Sequence, residues 1–117
     1  MRNFKKLKIW SKGFDIATKS FRLVDTFPKQ EKFGIASQIT KSAVSIPSNI
    51  AEGSSRMSAK EYSRFIEISL GSAFELETQL LIALKVNFGN NELGNDLLGD
   101  LDEEQKMLIS FINKLSK

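Results

Sequence analysis

The sequence of 117 residues is long enough for one hydrophobic core, and its 41% hydrophobic and 26% charged residues exclude a disordered chain. It contains no His and no Cys, which excludes disulfides, thiolate or imidazole metal sites and Ser-His or Cys-His catalysis. The net charge of +3 is uneven, because residues 1–30 hold eight Lys or Arg and two Asp, whereas residues 91–117 hold three Lys and six acids.

The first predicted helix spans residues 8–26. Apolar residues recur there at spacings of three and four, which indicates one helical stripe that faces the core. The stripe consists of Leu7, Trp10, Phe14, Ala17, Phe21 and Val24. The helix should end near Phe27, because proline disfavours a helical conformation of the residue before it, and Pro28 can open the next helix at its first position.

The second predicted helix spans residues 28–53. Its apolar residues follow the same spacing, and most of its other positions are small, so that neighbouring backbones can approach closely. The apolar stripe consists of Ala36, Ile39, Ala43, Ile46 and Ile50. Pro47 should bend this helix because it removes one backbone hydrogen bond, and Gly53 is expected to end it.

The third predicted helix, residues 58–88, begins with a capping box in which Ser58 and Glu61 exchange hydrogen bonds. Its stripe consists of Tyr62, Ile66, Ser69, Ala73, Leu76, Leu80 and Ala83. Further apolar residues make its apolar arc wider than a one-sided surface helix needs. This width indicates either a central place in a bundle or an interface with another subunit.

A turn rich in Gly and Asn precedes the fourth predicted helix, residues 92–116, in which acidic residues come early and Lys comes late, as the helix dipole favours. The apolar spacing of this helix runs through Leu98, Leu101, Gln105, Leu108, Ile112 and Leu115. Four amphipathic helices with short connections predict an all-α, antiparallel up-and-down four-helix bundle formed by one domain, residues 1–117.

A polar seam accompanies the apolar stripe of the second helix, again at spacings of three and four. It consists of Gln38, Ser42, Ser45, Asn49, Glu52 and Arg56. It can be a solvated face, a buried joint between helices or subunits, or a binding site. Exposed helix faces usually carry long charged side chains, and this one has no Lys, so the buried joint is favoured. A buried Glu52 needs a partner, either Arg56 or backbone amides at the start of the third helix.

Gly71, Ser72 and Glu75 form a matching polar set on the third helix. Glycine within a helix costs about 1 kcal/mol relative to alanine, so we expect another backbone to lie close to Gly71. A hydrolase that uses Glu52 and Glu75 as acid and base is an alternative that would require both carboxylates in one open cleft. No glycine-rich phosphate loop is present, and because His and Cys are also absent, we expect no enzyme activity, no cofactor and no metal.

The basic residues of the first thirty positions stand partly at the start of the first helix, where positive charge opposes the helix dipole. An anionic partner explains this placement, and solubility alone is the alternative. Nucleic acid is favoured over a membrane because Trp10 belongs to the predicted core stripe and no stretch is long enough to span a bilayer. We expect a cytoplasmic protein. The candidate nucleic-acid-binding residues are Lys5, Lys6, Lys8, Lys12, Lys19, Arg22, Lys41, Lys60 and Arg64.

Residues 27–83, with SIPSNIAEG followed by an Arg and with GS-x-x-ELE, closely resemble the 23S rRNA intervening-sequence family of four-helix-bundle proteins. Together with KLKIW before this segment and the Leu-rich helix after it, the resemblance covers nearly the whole chain. The segment ISLGS departs from the family pattern, in which an alanine precedes the Gly-Ser pair.

This resemblance implies a small cytoplasmic bacterial protein that forms a homopentamer and has no enzyme activity. A related branch serves as the accessory protein of diversity-generating retroelements, where it engages nucleic acid and a reverse transcriptase. That role calls for a more basic protein than this one. We therefore expect a homo-oligomeric bundle that binds RNA, and the alternative is a scaffold for a protein partner such as a reverse transcriptase, without direct contact with nucleic acid.

Overall fold

The computed structural model describes residues 2–117, and these form an antiparallel up-and-down four-helix bundle, as predicted. The helices are α1 (Lys8–Val24), α2 (Ile35–Ser54), α3 (Ala59–Lys85) and α4 (Asn91–Leu115). Short 3-10 turns at Phe4–Lys6 and Lys29–Glu31 precede α1 and α2. In residues 2–117 there is no β-strand.

The four helices pack in a ring, in which α1 contacts α2, α2 contacts α3, α3 contacts α4 and α4 returns to α1. The bundle measures 44 × 22 × 20 Å. Its centre is filled by aliphatic side chains that are fully buried, including Ile16, Ile39, Ile46, Leu76 and Leu101. Because the helices alternate in direction, the start of α1, the end of α2, the start of α3 and the end of α4 lie together at one end.

The core-facing side of α1 differs from the predicted stripe. The buried residues of α1 are Ile9, Gly13, Ile16, Ala17, Ser20 and Leu23. By contrast, the predicted stripe members Phe14 and Phe21 are 47% and 51% exposed. The prediction was wrong for these two residues, whereas Ala17 is buried and Leu7, Trp10 and Val24 pack against the core. Helix α1 carries two neighbouring series of residues at spacings of three and four, and only packing against α2 and α4 decides which one is buried.

Helix α2 begins at Ile35, well after the predicted start at residue 28, and includes Pro47 in its interior. Gly34 separates the 3-10 turn from α2, because its φ of −103° and ψ of −120° lie outside the helical region. The helix also continues through Gly53 to Ser54. The helix thus ends one residue after the predicted end, and Gly53 also allows close packing, as described below.

Helix α3 confirms the sequence prediction at its start and along its core. The Glu61 backbone amide donates to Ser58 Oγ at 3.1 Å, and every member of the predicted stripe is buried. The helix ends at Lys85, three residues before the predicted end, and Asn87 and Gly89 then adopt positive φ angles of 62° and 81°. Asn90 caps α4 by accepting from the Leu93 amide at 2.8 Å.

Candidate nucleic-acid interface

The polar seam lies between α2 and α3 and forms its hydrogen bonds within one chain. Ser42 Oγ donates to Glu75 Oε1 at 2.9 Å, and the hydroxyls of Ser45 and Ser72 lie 2.8 Å apart. Asn49 Nδ2 donates to the Ser45 carbonyl at 2.8 Å. The middle of the seam is therefore an intramolecular joint made of short hydroxyl and amide side chains together with the carboxyl group of Glu75.

The outer part of the polar seam is exposed. Gln38 and Glu52 face solvent, and the Glu52 side chain is 54% exposed. The expectation that Glu52 is buried is wrong, whereas its expected pairing is confirmed, because Arg56 Nη2 donates to Glu52 Oε2 at 2.8 Å. Glu75 accepts a hydrogen bond from Ser42 of α2. Ser42 and Glu52 are separated along the axis of α2 by about 15 Å, since the helical rise is about 1.5 Å per residue. The two carboxylates of the hydrolase hypothesis do not share a cleft.

The close approach of α2 and α3 occurs at Gly53 and not at Gly71. A Cβ atom added to Gly53 would lie 2.7 Å from the Cβ of Phe65, which real side chains cannot tolerate, whereas a Cβ on Gly71 would meet nothing within 4 Å. Gly71 lies on the surface, so the prediction of a nearby backbone there is wrong for the single chain. Gly53 is required because α3 begins directly against the last turn of α2.

Basic residues gather at the end of the bundle where α1 and α3 begin. We call residues 2–8, 56–64 and 113–117 the basic end, which holds nine Lys or Arg and one acid, Glu61. Arg2 joins these segments, since its guanidinium donates to the Ser54 carbonyl at 3.2 Å and to the Arg56 carbonyl. It also stacks over the Tyr62 ring at 4.6 Å. The N-terminal segment is thereby held against the joint of α2 and α3.

Five of the nine predicted nucleic-acid-binding residues belong to the basic end, and all five are exposed. They are Lys5, Lys6, Lys8, Lys60 and Arg64. None of them forms an ion pair within residues 2–117. Lys60 and Arg64 line a surface groove together with Leu115 and Ser116, which brings the end of α4 to the same surface. Arg56 lies beside them and stacks on Phe65 at 4.6 Å.

Two of the remaining predicted residues are occupied by acids of α4. Lys12 Nζ lies 2.7 Å from Glu103 Oε2 and 3.4 Å from Asp100 Oδ1. Lys19 Nζ lies 2.8 Å from Asp100 Oδ2 and 3.0 Å from Asp96 Oδ2. Hydrogen bonds to Glu103 and Asp100 raise the pKa of Lys12, and hydrogen bonds to Asp100 and Asp96 raise the pKa of Lys19. We call these five side chains the ion-pair cluster.

Arg22 and Lys41 are exposed but lie away from the basic end, in the last turns of α1 and the first turns of α2. The nine predicted residues therefore do not form one continuous surface. The list of candidate residues left out Arg2, although it belongs to the N-terminal basic residues, and it left out Lys114 and Lys117, which were related only to the dipole of α4. The sequence contains the signal for these residues, because the alternating directions of the four predicted helices bring both chain ends to the same end of the bundle.

Glu104 is a polar residue that the sequence analysis missed. It is 0% exposed, and neither of its carboxylate oxygens has a hydrogen-bond partner in residues 2–117. Burial raises its pKa from 4.5 to about 8, opposed only by the charge of Lys12. The apolar spacing of α4 contains the signal, because Glu104 falls between the core residues Leu101 and Leu108 at spacings of three and four.

The family model of the 23S rRNA-intervening sequence protein matches residues 5–110, which include the four helices nearly completely. The chain belongs to this family. No curated protein matches it. The match includes the polar seam, the ion-pair cluster and most of the basic end.

A solved structure supports this assignment to the 23S rRNA-intervening sequence protein family. It is a protein of unknown function from the S23 ribosomal protein family of Bacteroides thetaiotaomicron VPI-5482, with 25% sequence identity and a TM-score of 0.80. The likeness covers 89% of this chain and 97% of that protein. The bundle is thus shared along nearly the full length of both proteins.

The described residues 2–117 contain no group of three or more acidic, His or Cys side chains placed to hold a metal ion. Nor does any helix in that range combine the length and apolar character that crossing a membrane requires. The basic end is therefore the strongest candidate site among the features described.

Proposed function

We propose that this family member is a non-enzymatic, homo-oligomeric protein of the cytoplasm that binds nucleic acid, specifically RNA, through the basic end. The observation that carries the proposal is the nine-to-one excess of basic over acidic residues at that end. Cations that neutralise phosphates release condensed counterions, so such a surface favours a polyanion. Within residues 2–117, eight of the nine cations of the basic end form no ion pair, and the ninth, Arg56, pairs with Glu52 near the end of α2.

The distribution of partners among the cations supports this location. Lys12 and Lys19 lie halfway along the bundle, and the acids of α4 already neutralise them. Lys5, Lys6 and Lys8 precede or begin α1, where the helix dipole disfavours positive charge. A placement that does not help folding and is not balanced within residues 2–117 fits a surface that binds phosphates.

Self-association is supported by two exposed apolar faces. The first lies over α1 and α2, where Trp10, Phe14, Phe21 and Val44 line a groove of about 310 Å³. The second lies over α3 and α4, where Leu70, Phe74, Ile109 and Ile112 line another groove. Since the helices pack in a ring, these faces are on opposite sides of the bundle.

Two different faces on opposite sides favour a head-to-tail contact, in which one face of each copy packs on the other face of the next. Such contacts form a ring when the rotation between copies closes. The family resemblance implies five copies. Light scattering on the purified protein tests the assembly, with a pentamer mass expected, and a monomer mass would contradict it.

The RNA proposal is tested by fluorescence anisotropy with a structured RNA at low and moderate salt. We compare wild type with a variant that replaces Lys5, Lys6, Lys60 and Arg64 by Ala. The matched control replaces four exposed cations outside the basic end, Lys29, Lys32, Lys41 and Lys85, by Ala. Both variants lose the same net charge, so any difference between them reports location.

We expect the basic-end variant to bind at least tenfold more weakly and to show a shallower dependence on salt, since each lost phosphate contact removes up to about 0.9 from the logarithmic slope. The control should retain most of the affinity. Absence of binding by wild type at micromolar concentration in low salt would contradict the proposal. Equal losses in the two variants would contradict the assignment to the basic end.

A protein-interaction scaffold is the second candidate, and the exposed aromatic side chains over α1 and α2 favour it. A reverse transcriptase is one partner of this kind. Capture of partners from the host, with and without nuclease treatment, separates the two functions. RNA binding predicts that co-purification disappears after nuclease treatment, whereas a scaffold retains its partner.

A further inference from the structure

Glu104 lies where three helices meet. It projects from α4 with 0% exposure, and a Cβ atom added to Gly13 of α1 would lie 3.0 Å from Glu104 Oε2 and 3.5 Å from the nitrogen of Pro47 in α2. The absence of a side chain at Gly13 thus leaves the space that the carboxyl group fills. Any change in the charge of Glu104 acts directly on the packing of α1 against α2 and α4.

The charged groups of α1 and α4 near Glu104 are engaged elsewhere. Lys12 of α1 is the group whose charge reaches it, but Lys12 Nζ is bound to Asp100 and Glu103 on the outer side of α4. Asp100 is shared with Lys19 as well. An ionised Glu104 would gain a partner only if Lys12 left these two acids and turned inward.

The sides of α2 and α3 offer no counter-charge within residues 2–117. Next to the carboxyl group, α2 presents Ile46 and Pro47, and the ionisable residues of α2, Lys41 and Glu52, are exposed. The acids of α3 that point between helices are already bonded, Glu75 to Ser42 and Glu77 to Gln105. Tyr62 packs on Phe111, and the remaining ionisable residues of α3 are exposed: Lys60, Glu61, Arg64, Glu67 and Lys85.

The packed bundle therefore holds Glu104 in its neutral form. Burial raises the pKa of Glu104 to about 8, because an isolated carboxylate in an apolar interior loses its hydration without compensation. When the proton is lost, the ion must be hydrated or paired. Both outcomes require α1 to move away from Glu104 or the ion-pair cluster to rearrange.

We propose that Glu104 is a proton-controlled latch that holds α1 in the bundle while its carboxyl group is neutral and loosens α1 when that group is ionised. The latch does not depend on RNA binding, since it rests on the packing of α1 alone. It acts on a helix that carries Trp10, Phe14 and Phe21 of one apolar face and follows directly after Lys5 and Lys6 of the basic end. Alkaline conditions would weaken both surfaces together.

The single Trp of the chain, Trp10, lies on α1 and provides a direct probe of the latch. We expect its fluorescence to change between pH 6 and 9.5 with a midpoint near pH 8 at constant ionic strength. Desolvation raises the pKa of Tyr62 above its usual value of 10.0, so tyrosine ionisation lies above this range. Glu104→Gln should abolish the transition, whereas the control Asp102→Asn, at an exposed position of α4 that pairs with Lys106 and not with Lys12, should keep it.

Hydrogen exchange provides a second readout that separates a latch from general unfolding. In wild type, amides of α1 should lose at least tenfold of their protection between pH 7 and pH 9, after correction for the intrinsic rate, while amides of α3 keep theirs. If Glu104→Gln does not fold, Glu104→Leu serves in its place. A wild type without a transition, or the same transition in a folded Glu104 variant, would overturn the proposal, whatever the outcome with RNA.

Discussion

The contacts α2–α3 and α1–α4 place polar groups between helices in opposite ways. Between α2 and α3 the polar side chains are short and mostly neutral, and their hydrogen bonds stay within the chain, as in Ser45 with Ser72 and Ser69 with the Ile46 carbonyl. Between α1 and α4 the polar groups are charged. Lys12 and Lys19 bind acids at the surface, and Glu104 remains buried beneath them without a partner.

This difference predicts which contact responds to solution conditions. A hydroxyl that donates to a carbonyl does not titrate near neutral pH, and its hydrogen bond is little screened by salt. Ion pairs at the surface weaken with salt, and a buried carboxyl group responds to pH. We expect α2–α3 to be the constant half of the bundle and α1–α4 the adjustable half.

The largest expected effect concerns Glu104 and the pH dependence of stability. Its pKa is 4.5 in the unfolded chain and about 8 in the folded chain, so between these values the folded state keeps a proton that the unfolded state has lost. Stability therefore falls as pH rises, by about 1.4 kcal/mol per unit or roughly 3 kcal/mol from pH 5 to 7.5. Chemical denaturation of wild type and Glu104→Leu across this range should show the slope only in wild type.

Asp102→Asn is the control for this prediction, because Asp102 is exposed on the same helix and pairs with Lys106 and not with Lys12. It should retain the decline in stability with pH. If wild type and Glu104→Leu show the same dependence, then α1–α4 is no more sensitive to pH than α2–α3, and the contrast between the two contacts fails.

A smaller effect is expected at Gly53, where α2 packs closely against α3. Gly53→Ala places a Cβ atom 2.7 Å from the Cβ of Phe65, and such overpacking costs about 1–3 kcal/mol. Alanine regains up to about 1 kcal/mol of helix propensity, so we expect a net loss of about 1–2 kcal/mol in the free energy of unfolding. Denaturant titration at fixed protein concentration measures this change.

Gly71→Ala is the matched control, since a Cβ there would meet nothing within 4 Å. This substitution should stabilise the helix by up to about 1 kcal/mol. If both substitutions change stability in the same direction, then the close approach of α2 and α3 at Gly53 does not constrain the bundle as the structure indicates.

How well the sequence predicts the buried face of a helix depends on whether one or several series of residues at spacings of three and four compete for that face. For α3, the predicted stripe is buried and Ser58 caps the start of the helix, as predicted, whereas the return bond of the capping box, from the Ser58 amide to the Glu61 side chain, is not formed within residues 2–117. For α1, two apolar series compete, and the choice of Ile9 and Ile16 over Phe14 and Phe21 depends on the packing of other helices. Local spacing carries no information about that choice.

The candidate site likewise depends on contacts between helices, which local spacing does not predict. The sequence identifies an excess of Lys and Arg near the N-terminus, but separating the free Lys5 and Lys8 from the paired Lys12 and Lys19 requires knowing that α4 returns beside α1. The internal hydrogen bonds of Ser42 and Ser45 to α3 likewise depend on the register of two helices. Glu104 was missed because the early acidic residues of α4 were explained by the helix dipole alone.

The Ser45–Ser72 hydrogen bond should contribute about 1 kcal/mol to stability, as is typical of neutral hydrogen bonds between side chains. A double-mutant cycle with Ser45→Ala and Ser72→Ala measures the coupling between the two hydroxyls, which lie 2.8 Å apart. We expect this coupling to be unchanged between about pH 5 and 8 and between about 0.05 and 0.5 M salt. These are roughly the ranges over which ionic contacts change in strength. A marked dependence on either variable would show that α2–α3 is not the constant contact.

The smallest effect is expected at Asp100, which accepts from both Lys12 and Lys19. Its pKa is lowered in the folded state, because the hydrogen bond from Lys19 and the charge of Lys12 outweigh desolvation. The stabilising contribution of Asp100 is therefore complete above the usual pKa of 3.8 and is lost as pH falls further. Since the two lysines remain partly solvated, Asp100→Asn should lower the free energy of unfolding by less than about 1 kcal/mol at pH 7 and low salt.

This loss of stability should shrink at about 0.5 M salt, where screening weakens ion pairs, while the Ser45–Ser72 coupling stays constant. Denaturation of Asp100→Asn at the two salt concentrations checks this expectation, and a cost that does not change with salt would place the ion-pair cluster in the same class as the hydroxyl contacts of α2–α3.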